Sequence, residues 1–411
     1  MIDGIPFRED FLERYLCSHD ISSPSFITRF FKIADGVFQP EKEEDVLRIL
    51  KLSEEKKIPV IPRGAGTSGY GGVIPVKGGF VVDFRRMDGF EIDEDQKTVV
   101  SEPGAVWWDI ETELNKKDLS LRVYPTSAPS STVGGWVSQN GYGVGSLRYG
   151  SIADNVTRLR VADFNGIRET EDIHFHAGLQ GTTGIITKAW IKVKEYEEFE
   201  AYAFHLSPEK AVKLAYSGNH HSALFLDENY IGMKNMVSDS DIPERNTLVI
   251  VTDEKLEGNE SLGNEIWESR FYPMRIKRLG PGIIPAEIIL PSENFPEYLK
   301  KTSKFNAGSE VWFLNGKKCA VLSFIPWDER KFSYVFRLRF AIKALKIGKK
   351  IGGKSYSSGL YLSNESKNVF VNYHELLKYK REVDPYNLLN PMKVFPSGFV
   401  SKIMAIAEVF S

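Results

Sequence analysis

A chain of 411 residues, 42% hydrophobic and 26% charged, is too long for one ordinary domain and too apolar for a disordered one. Fifty-three Lys and Arg against 55 Asp and Glu leave a net charge of −2, so no global field draws in nucleic acid or an anionic membrane, and any anion site must be local. The two cysteines, Cys17 and Cys319, are too few and too far apart for a zinc knuckle or an iron–sulfur cluster.

The N-terminal MIDGIPFREDFLERY has neither the basic start nor the apolar run of a signal peptide. No stretch reaches the roughly 18 apolar residues of a membrane span, so the expectation is a cytoplasmic protein. From Gln39 to Lys56, Val46, Ile49, Leu50 and Ser53 recur at helical spacing among charges, which predicts an amphipathic helix. The apolar IPVIP then reads as a short buried strand, followed by a glycine-rich loop, the strand GFVVDF, an alternating strand at KTVVSEPGA and a helix from Trp107 to Lys116.

Residues Tyr124 to Gly150 form a long Gly-, Ser- and Thr-rich stretch, and loops of this length are uncommon unless functional. Strands are expected at Arg158–Asp163 and Ile185–Val193. Near residue 200 the texture turns to helices mixed with strands such as LVIVTD and EIILP, and later helices run through Phe340 and from Val369 to Arg381.

The loop PRGAGTSG contains Gly64, Gly66 and Gly69 as a literal GxGxxG after a strand, with Asp83 downstream where a ribose-binding acid would stand. That fingerprint requires the third glycine to open a helix whose N-terminus meets a pyrophosphate. Here YGGVIPVKGG follows, and no helix runs through Gly71, Gly72, Pro75, Gly78 and Gly79. Successive backbone N–H groups in a glycine-rich turn still make an anion nest, so phosphate binding survives the loss of the Rossmann reading. A glycine-rich hairpin without a ligand is the plainer alternative for the loop taken by itself.

With three further blocks in order, the segment IPVIPRGAGTSGYGGVIPVKGGFVVDF resembles the FAD-binding domain of the vanillyl-alcohol-oxidase-type (PCMH-type) flavoproteins, nearest the group of glycolate oxidase flavin subunits and D-lactate dehydrogenases. The blocks are VVSEPGAVWWDI from Val99, the stretch from Tyr124 to Gly150, and GLQGTTGIIT from Gly178; VDPYNLLNPMKV from Val383 resembles the family's closing motif. The resemblance implies an α+β protein. Its FAD-binding domain would have two subdomains over residues 1–200, an α+β cap of mainly antiparallel sheet over 201–365, and a C-terminal return over 366–411.

Carried over block by block, Pro62, Arg63, Gly64, Ala65, Gly66, Thr67, Ser68 and Gly69 would wrap the FAD pyrophosphate through backbone amides. Ser127, Thr132, Gly134, Gly135 and Ser138 would line it from the other side, and Ser146, Arg148 and Tyr149 would approach the flavin ring. Gly181, Gly184 and Ile186 would meet the adenosine end, and Asn390, with Lys393, belongs to the closing motif. The loop offers no histidine for covalent attachment, so non-covalent FAD is expected.

Many relatives also carry a His-rich strand and a Glu-His-Gly turn for a divalent metal and a base. Here KSYSSGLYL puts Ser357 and Ser358 at the corresponding turn, and VWFLNGKKCAVLSF from Val311 has no histidine, so no catalytic metal is expected. Arg275 and Arg278, clustered with Arg270 and Lys277 before a strand, are candidates for a carboxylate clamp, against the blander reading of a solvated basic turn. Tyr361 and His374 are candidate bases, with Tyr356 in reserve. His174 and His176 alternate as on one face of a strand, read as side chains without a metal, and His220 and His221 sit in a polar turn read as exposed.

The resemblance implies an FAD-dependent dehydrogenase of a small 2-hydroxy acid such as lactate or glycolate, passing electrons to a partner protein or quinone. The alternatives are a flavin-carrying subunit with a diverged substrate pocket, and redox-neutral flavin chemistry. A homo-oligomer is compatible with each. Phe399, Ile403, Ile406 and Phe410 give the C-terminus an apolar stripe suited to self-packing or to a redox partner.

Overall fold

The computed structural model describes residues 1–2, 4–22, 28–238 and 240–396; the apolar stripe at Phe399, Ile403, Ile406 and Phe410 lies outside them. The chain forms two compact units. The first takes Met1–Gly141, Ile152–Glu195 and the described residues from Ser357 onward, and the second takes Tyr142–Ser151 and Tyr196–Tyr356. Among the described residues no helix is long and apolar enough to cross a membrane.

The first unit holds two sheets. Strands β1 (Phe7–Arg8), β2 (Gly36–Phe38), β3 (Val60–Arg63) and β4 (Phe80–Asp83) form one, in the order β1-β2-β4-β3, with β4 parallel to both β2 and β3. Parallel strands bury both faces, which is why GVF, VIP and FVV read as unbroken apolar runs. Helix Glu43–Lys56 covers this sheet with Val46, Ile49 and Leu50, the stripe its 3.6-residue period set. Lys57, left-handed at φ 53°, ends it. The expected absence of a helix after Gly69 holds, since the chain between β3 and β4 contains none.

The second sheet runs β5 (Phe90–Asp93), β6 (Thr98–Ser101), β10 (Ile185–Glu195), β8 (Val156–Asp163) and β9 (Gly166–Thr170), with β7 (Leu119–Leu121) also on β10, all antiparallel. Ala162 and Ile185 from this sheet enter the same core as Phe38, Val60 and Val82 from the first, which locks the two subdomains together. His174 and His176 do not share a strand: Ile173–Phe175 is a 3-10 turn, with His174 exposed and His176 buried.

The second unit is built on an antiparallel sheet, ordered β11 (Glu200–His205), β13 (Thr247–Thr252), β12 (Ser222–Leu226), β15 (Gly308–Leu314), β16 (Lys318–Pro326), β14 (Ile283–Pro291) and β17 (Lys354–Ser355). Strand alternation sends Phe225, Val311, Phe313 and Ile288 to one face, where helices Pro208–Ala215, Phe295–Thr302 and Arg339–Lys350 cover them. The helix Ser146–Tyr149, from the long glycine-rich stretch, is stitched to this sheet by Gly145 N–H to Ser222 Oγ (2.8 Å) and Asn315 N–H to Ser146 O (3.0 Å). His220 and His221, expected in an exposed turn, are buried beside β12, because the turn folds back against Phe199 and Tyr149.

Candidate cofactor site

The loop after β3 is held by close approaches that only glycine allows. A Cβ on Gly64 would overlap Thr132 Oγ1 and lie 3.5 Å from Gly135 Cα, so the glycine-loop segment and the Tyr124–Gly150 block meet at this point. Gly181 (φ +71°) leaves room for Pro62 in the same way, which brings in the third block. At Gly66 (φ +71°) the chain turns left-handed with the Arg63 guanidinium packed behind it. That guanidinium donates to the carbonyls of Cys17 (3.3 Å) and His19 (2.7 Å), so Arg63 ties the N-terminal segment to the loop. The loop's backbone amides, and not this side chain, are what it offers an anion.

The closing segment completes the enclosure. Leu389 bridges Val60 in parallel, Asn390 N–H donates to Val60 O (2.8 Å), and Asn390 Nδ2 donates to Gly72 O (2.9 Å) and Gln180 O (2.7 Å). Asn390, Met392 and Val394 all have positive φ, and for a β-branched Val394 that is strained backbone held by its surroundings. A buried pair, Lys380 and Asp384, anchors the segment, with Asp384 accepting from Leu388 N–H and Leu389 N–H at 2.8 Å each. Buried Lys393 donates to Ile74 O (2.8 Å), and burial pushes its ammonium down to about 7. Asp20 accepts the Gly71 N–H (2.8 Å); burial raises its carboxyl, against the pull of its hydrogen bonds.

Two side chains that the sequence did not single out, Gln139 and Gln180, join the blocks, together with Ser357. Gln139 Nε2 donates to Ser68 Oγ (2.7 Å), Ser357 Oγ donates to Gln139 Oε1 (2.9 Å), and Gln180 Nε2 reaches Gln139 Oε1 (3.3 Å). Two glutamines inside Gly- and Ser-rich runs were the available signal, since an amide there has little else to bond.

Buried polar atoms ordinarily find partners, and one left alone costs about 1–3 kcal/mol. Among the described residues, Ser131 Oγ, Thr132 Oγ1, Gln180 Oε1, Asn390 Oδ1 and Ser358 Oγ are buried without a protein partner, and Thr132, Gln180 and Asn390 border the glycine loop directly. Hydroxyl donors, carbonyl acceptors and a cradle of free amides suit a ligand bearing both phosphates and a polar heterocycle. The residues present fit FAD.

The remaining expected residues are placed as follows. Ser127, Thr67, Gly69 and Ser138 are half-buried and Ala65 is exposed. Gly134 packs against Pro103, 2.6 Å from a built Cβ, while Gly184 (φ +139°) backs onto Val161 and Ile186 is buried on β10, so these three have packing roles. Ser146, Arg148 and Tyr149 belong to the second unit. There Arg148 pairs with Glu197 (2.9 Å) and Asp253 (3.4 Å), Ser146 Oγ accepts from Gly143 N–H (2.9 Å), and Tyr149 meets the His221 ring edge-on.

Tyr361 packs with Ile74, Leu360 and Met392 next to Gly71, and His374 is exposed on helix Tyr373–Val383. Arg275 and Arg278 are exposed on Pro273–Leu279, with Arg275 stacked 4.3 Å from the Tyr272 ring centroid. Glu13, Cys17 and Asp83 bring three ligand atoms together. Arg85 pairs with both carboxylates, and burial, with Asp83, pushes the Cys17 thiol up to about 12, so the group is an ion-pair cluster.

An FAD binding domain family matches residues 34–170. Glycolate oxidase subunit GlcD of Bacillus subtilis is 33% identical over 178 residues, covering 40% of this chain and 38% of that protein. D-lactate dehydrogenase of Archaeoglobus fulgidus is 32% identical over 169 residues, covering 38% of each. Alkyldihydroxyacetonephosphate synthase of Trypanosoma brucei brucei is 30% identical over 189 residues, covering 42% of this chain and 31% of that one. The chain thus spans well under half the length of these three relatives. A solved structure of an alkyldihydroxyacetonephosphate synthase superposes with a TM-score of 0.72 at 19% identity, over 94% of this chain and 82% of that one, which shows a shared fold. With the match of residues 34–170 and the converging blocks, this chain carries an FAD binding domain, similar to that of the PCMH-type flavoproteins.

Proposed function

We propose that this protein is an FAD-dependent oxidoreductase that oxidises a small 2-hydroxy acid and hands the electrons to a partner protein or quinone. The observation that carries the cofactor half is the set of orphaned buried atoms, Thr132 Oγ1, Gln180 Oε1 and Asn390 Oδ1, around a loop that only glycine can form. The substrate half draws support from the glycolate oxidase subunit and D-lactate dehydrogenase among the relatives.

Oxidising a 2-hydroxy acid removes a hydride from its C2 and a proton from its hydroxyl, leaving a 2-oxo acid; FAD, when bound, supplies the hydride acceptor. In this proposal the amides of Gly64–Ser68 and the hydroxyls of Ser131 and Thr132 hold the pyrophosphate, while Gln180 and Asn390 offer acceptors to the cofactor's N–H groups. Arg275 or Arg278 clamps the substrate carboxylate, for which a guanidinium fork is well shaped. Tyr361, beside Gly71, or His374 takes the hydroxyl proton. The glycine loop carries Thr67, Ser68 and Tyr70 and no histidine, which supports non-covalent attachment.

The test is anaerobic titration of the flavin-loaded protein with D-lactate, L-lactate, glycolate and 2-hydroxyglutarate, following the visible flavin band. Bleaching by one of them is expected. Stable flavin with no bleaching by any would overturn the substrate assignment and leave a flavin-carrying subunit, a reading favoured by Ser357 and Ser358 standing where relatives keep metal and base.

A further inference from the structure

Between Arg330 and Tyr356 the chain carries nine Lys and Arg and no Asp or Glu, although its total charge is only −2. Helices Ser333–Arg337 and Arg339–Lys350 take up most of this stretch. Leu338 between them keeps right-handed helical backbone. The bonds from Leu338 N–H to Tyr334 O (3.1 Å) and from Ile342 N–H to Leu338 O (3.2 Å) carry the helix across the joint, so both segments share one helical phase.

Packing fixes which side turns inward. Tyr334, Phe340 and Ala344 are buried in the core of the second unit, and a Cβ on Gly348 would overlap Ile288 of β14. Phe332, Phe336, Arg339, Lys343 and Lys350 lie on the opposite side at helical spacing, all exposed, in a stripe about 27 Å long. The Phe332 and Phe336 rings meet edge-on with centroids 5.4 Å apart and are 58% and 59% exposed, with Val335 exposed beside them.

Among the described residues Arg339, Lys343 and Lys350 have no carboxylate within 4.0 Å. The nearby acids are engaged elsewhere. Asp328 pairs with Arg330 (2.9 Å) and Lys331 (3.8 Å), and buried Glu329 pairs with Lys277 (3.7 Å). Glu297, on the adjoining helix Phe295–Thr302, pairs with Lys301 (2.6 Å). That helix and its flanks also expose Lys300 and Lys304 against Glu293, so the surroundings do not cancel the positive face.

We propose that this face seats the protein on the anionic surface of a membrane. Phe332 and Phe336 enter the headgroup boundary, and Arg339, Lys343 and Lys350 lie against the lipid phosphates. Charge complementarity calls for an anionic surface, and the exposed rings call for an apolar layer beneath that charge, which the outside of duplex DNA lacks. An acidic protein is a poorer match. Two of the three unpaired cations are lysines, which are depleted at protein interfaces, whereas a flat phosphate surface asks for no fork geometry. The face belongs to the second unit alone.

The test is co-sedimentation of the full-length protein with phosphatidylcholine vesicles and with vesicles that are one-third phosphatidylglycerol. Each is run at low salt and at about 1 M salt, where the Debye length falls to about 3 Å. Binding to the anionic vesicles is expected to be at least about tenfold tighter than to phosphatidylcholine, and to weaken by at least about tenfold in high salt. Each cation near an anionic surface strengthens binding about fivefold, so Arg339→Gln, Lys343→Gln and Lys350→Gln combined should lose about a hundredfold. Phe332→Ser with Phe336→Ser should lose about tenfold and keep the salt dependence. All five positions are exposed, and the comparison of lipids needs no variant.

Equal binding to both kinds of vesicle, or none, would overturn the proposal, as would parental affinity in either combined variant. Tighter binding to a short DNA duplex or to polyglutamate than to the anionic vesicles would give the face to another partner and overturn it too. So would a dimer in solution that Phe332→Ser with Phe336→Ser dissolves. Vesicle binding by a protein that takes up no FAD would spare this proposal and sink the cofactor reading, whereas bound FAD without vesicle binding would do the reverse.

Discussion

Thr132 Oγ1 occupies the position a Cβ on Gly64 would need. The two residues lie far apart in the chain, one directly after β3 and the other entering helix Val133–Val137, and their contact closes the glycine loop onto the second FAD-binding block. Gly64→Ala is therefore expected to weaken flavin binding by about tenfold or more, roughly 1.4 kcal/mol. Gly69→Ala, whose Cβ meets only Ile21 Cγ2 at 3.8 Å, should stay within about twofold. Titration of the flavin-free variants with FAD measures both, and a larger effect at Gly69 would show that the cofactor approaches the loop there and not at Gly64.

The flavin should leave the protein without bond cleavage. Acid or heat precipitation is expected to release all of it into the supernatant as free FAD. Yellow colour or flavin fluorescence retained in the denatured pellet would contradict non-covalent attachment.

The buried pair of Lys380 and Asp384 supports the closing segment. Asp384→Asn leaves the Lys380 ammonium uncompensated, and removing one member of a buried pair costs about 3–5 kcal/mol. Equilibrium denaturation should show that loss. Flavin affinity should fall as well, because Leu389 and Asn390 follow directly on the two amides Asp384 holds. A stability change under about 1 kcal/mol would show that the pair is dispensable.

His176 is buried, and burial, with Arg168 nearby, lowers its imidazolium to about 3 from an ordinary 6.5. The unfolded chain therefore takes up a proton as pH falls below about 6.5, while the folded chain stays neutral until about pH 3. Stability from this group is intact above pH 6.5 and is lost as pH falls through that window, by up to about 1.4 kcal/mol per pH unit. His176→Leu should remove this component, so the wild-type minus variant difference in unfolding free energy should shrink as the solution is acidified. A difference independent of pH would show that the imidazole titrates normally.

Arg275→Lys and Arg278→Lys test the carboxylate clamp. The variant that loses the productive fork should raise the substrate concentration needed for half-maximal flavin bleaching by about tenfold, with the final extent of bleaching preserved. Wild-type behaviour of both would remove them from the substrate site.

Much of this was legible in sequence because it depends on local rules. Val46, Ile49 and Leu50 set the face of their helix, the apolar runs at Val60 and Phe80 gave buried strands, and the glycines and Pro75 after Gly69 forbade a helix there. The ordered blocks also pointed to FAD without any fold in hand. The tertiary structure decided what depends on contacts between distant segments. It put Thr132 against Gly64, joined Gln139, Gln180 and Ser357 into one network, buried His220 and His221, and left Phe332 and Phe336 exposed in line with Arg339, Lys343 and Lys350. Periodicity and motif spacing report a residue's neighbours along the chain, whereas burial, orphaned hydrogen-bonding atoms and unbalanced charge arise only when remote segments pack and exclude water.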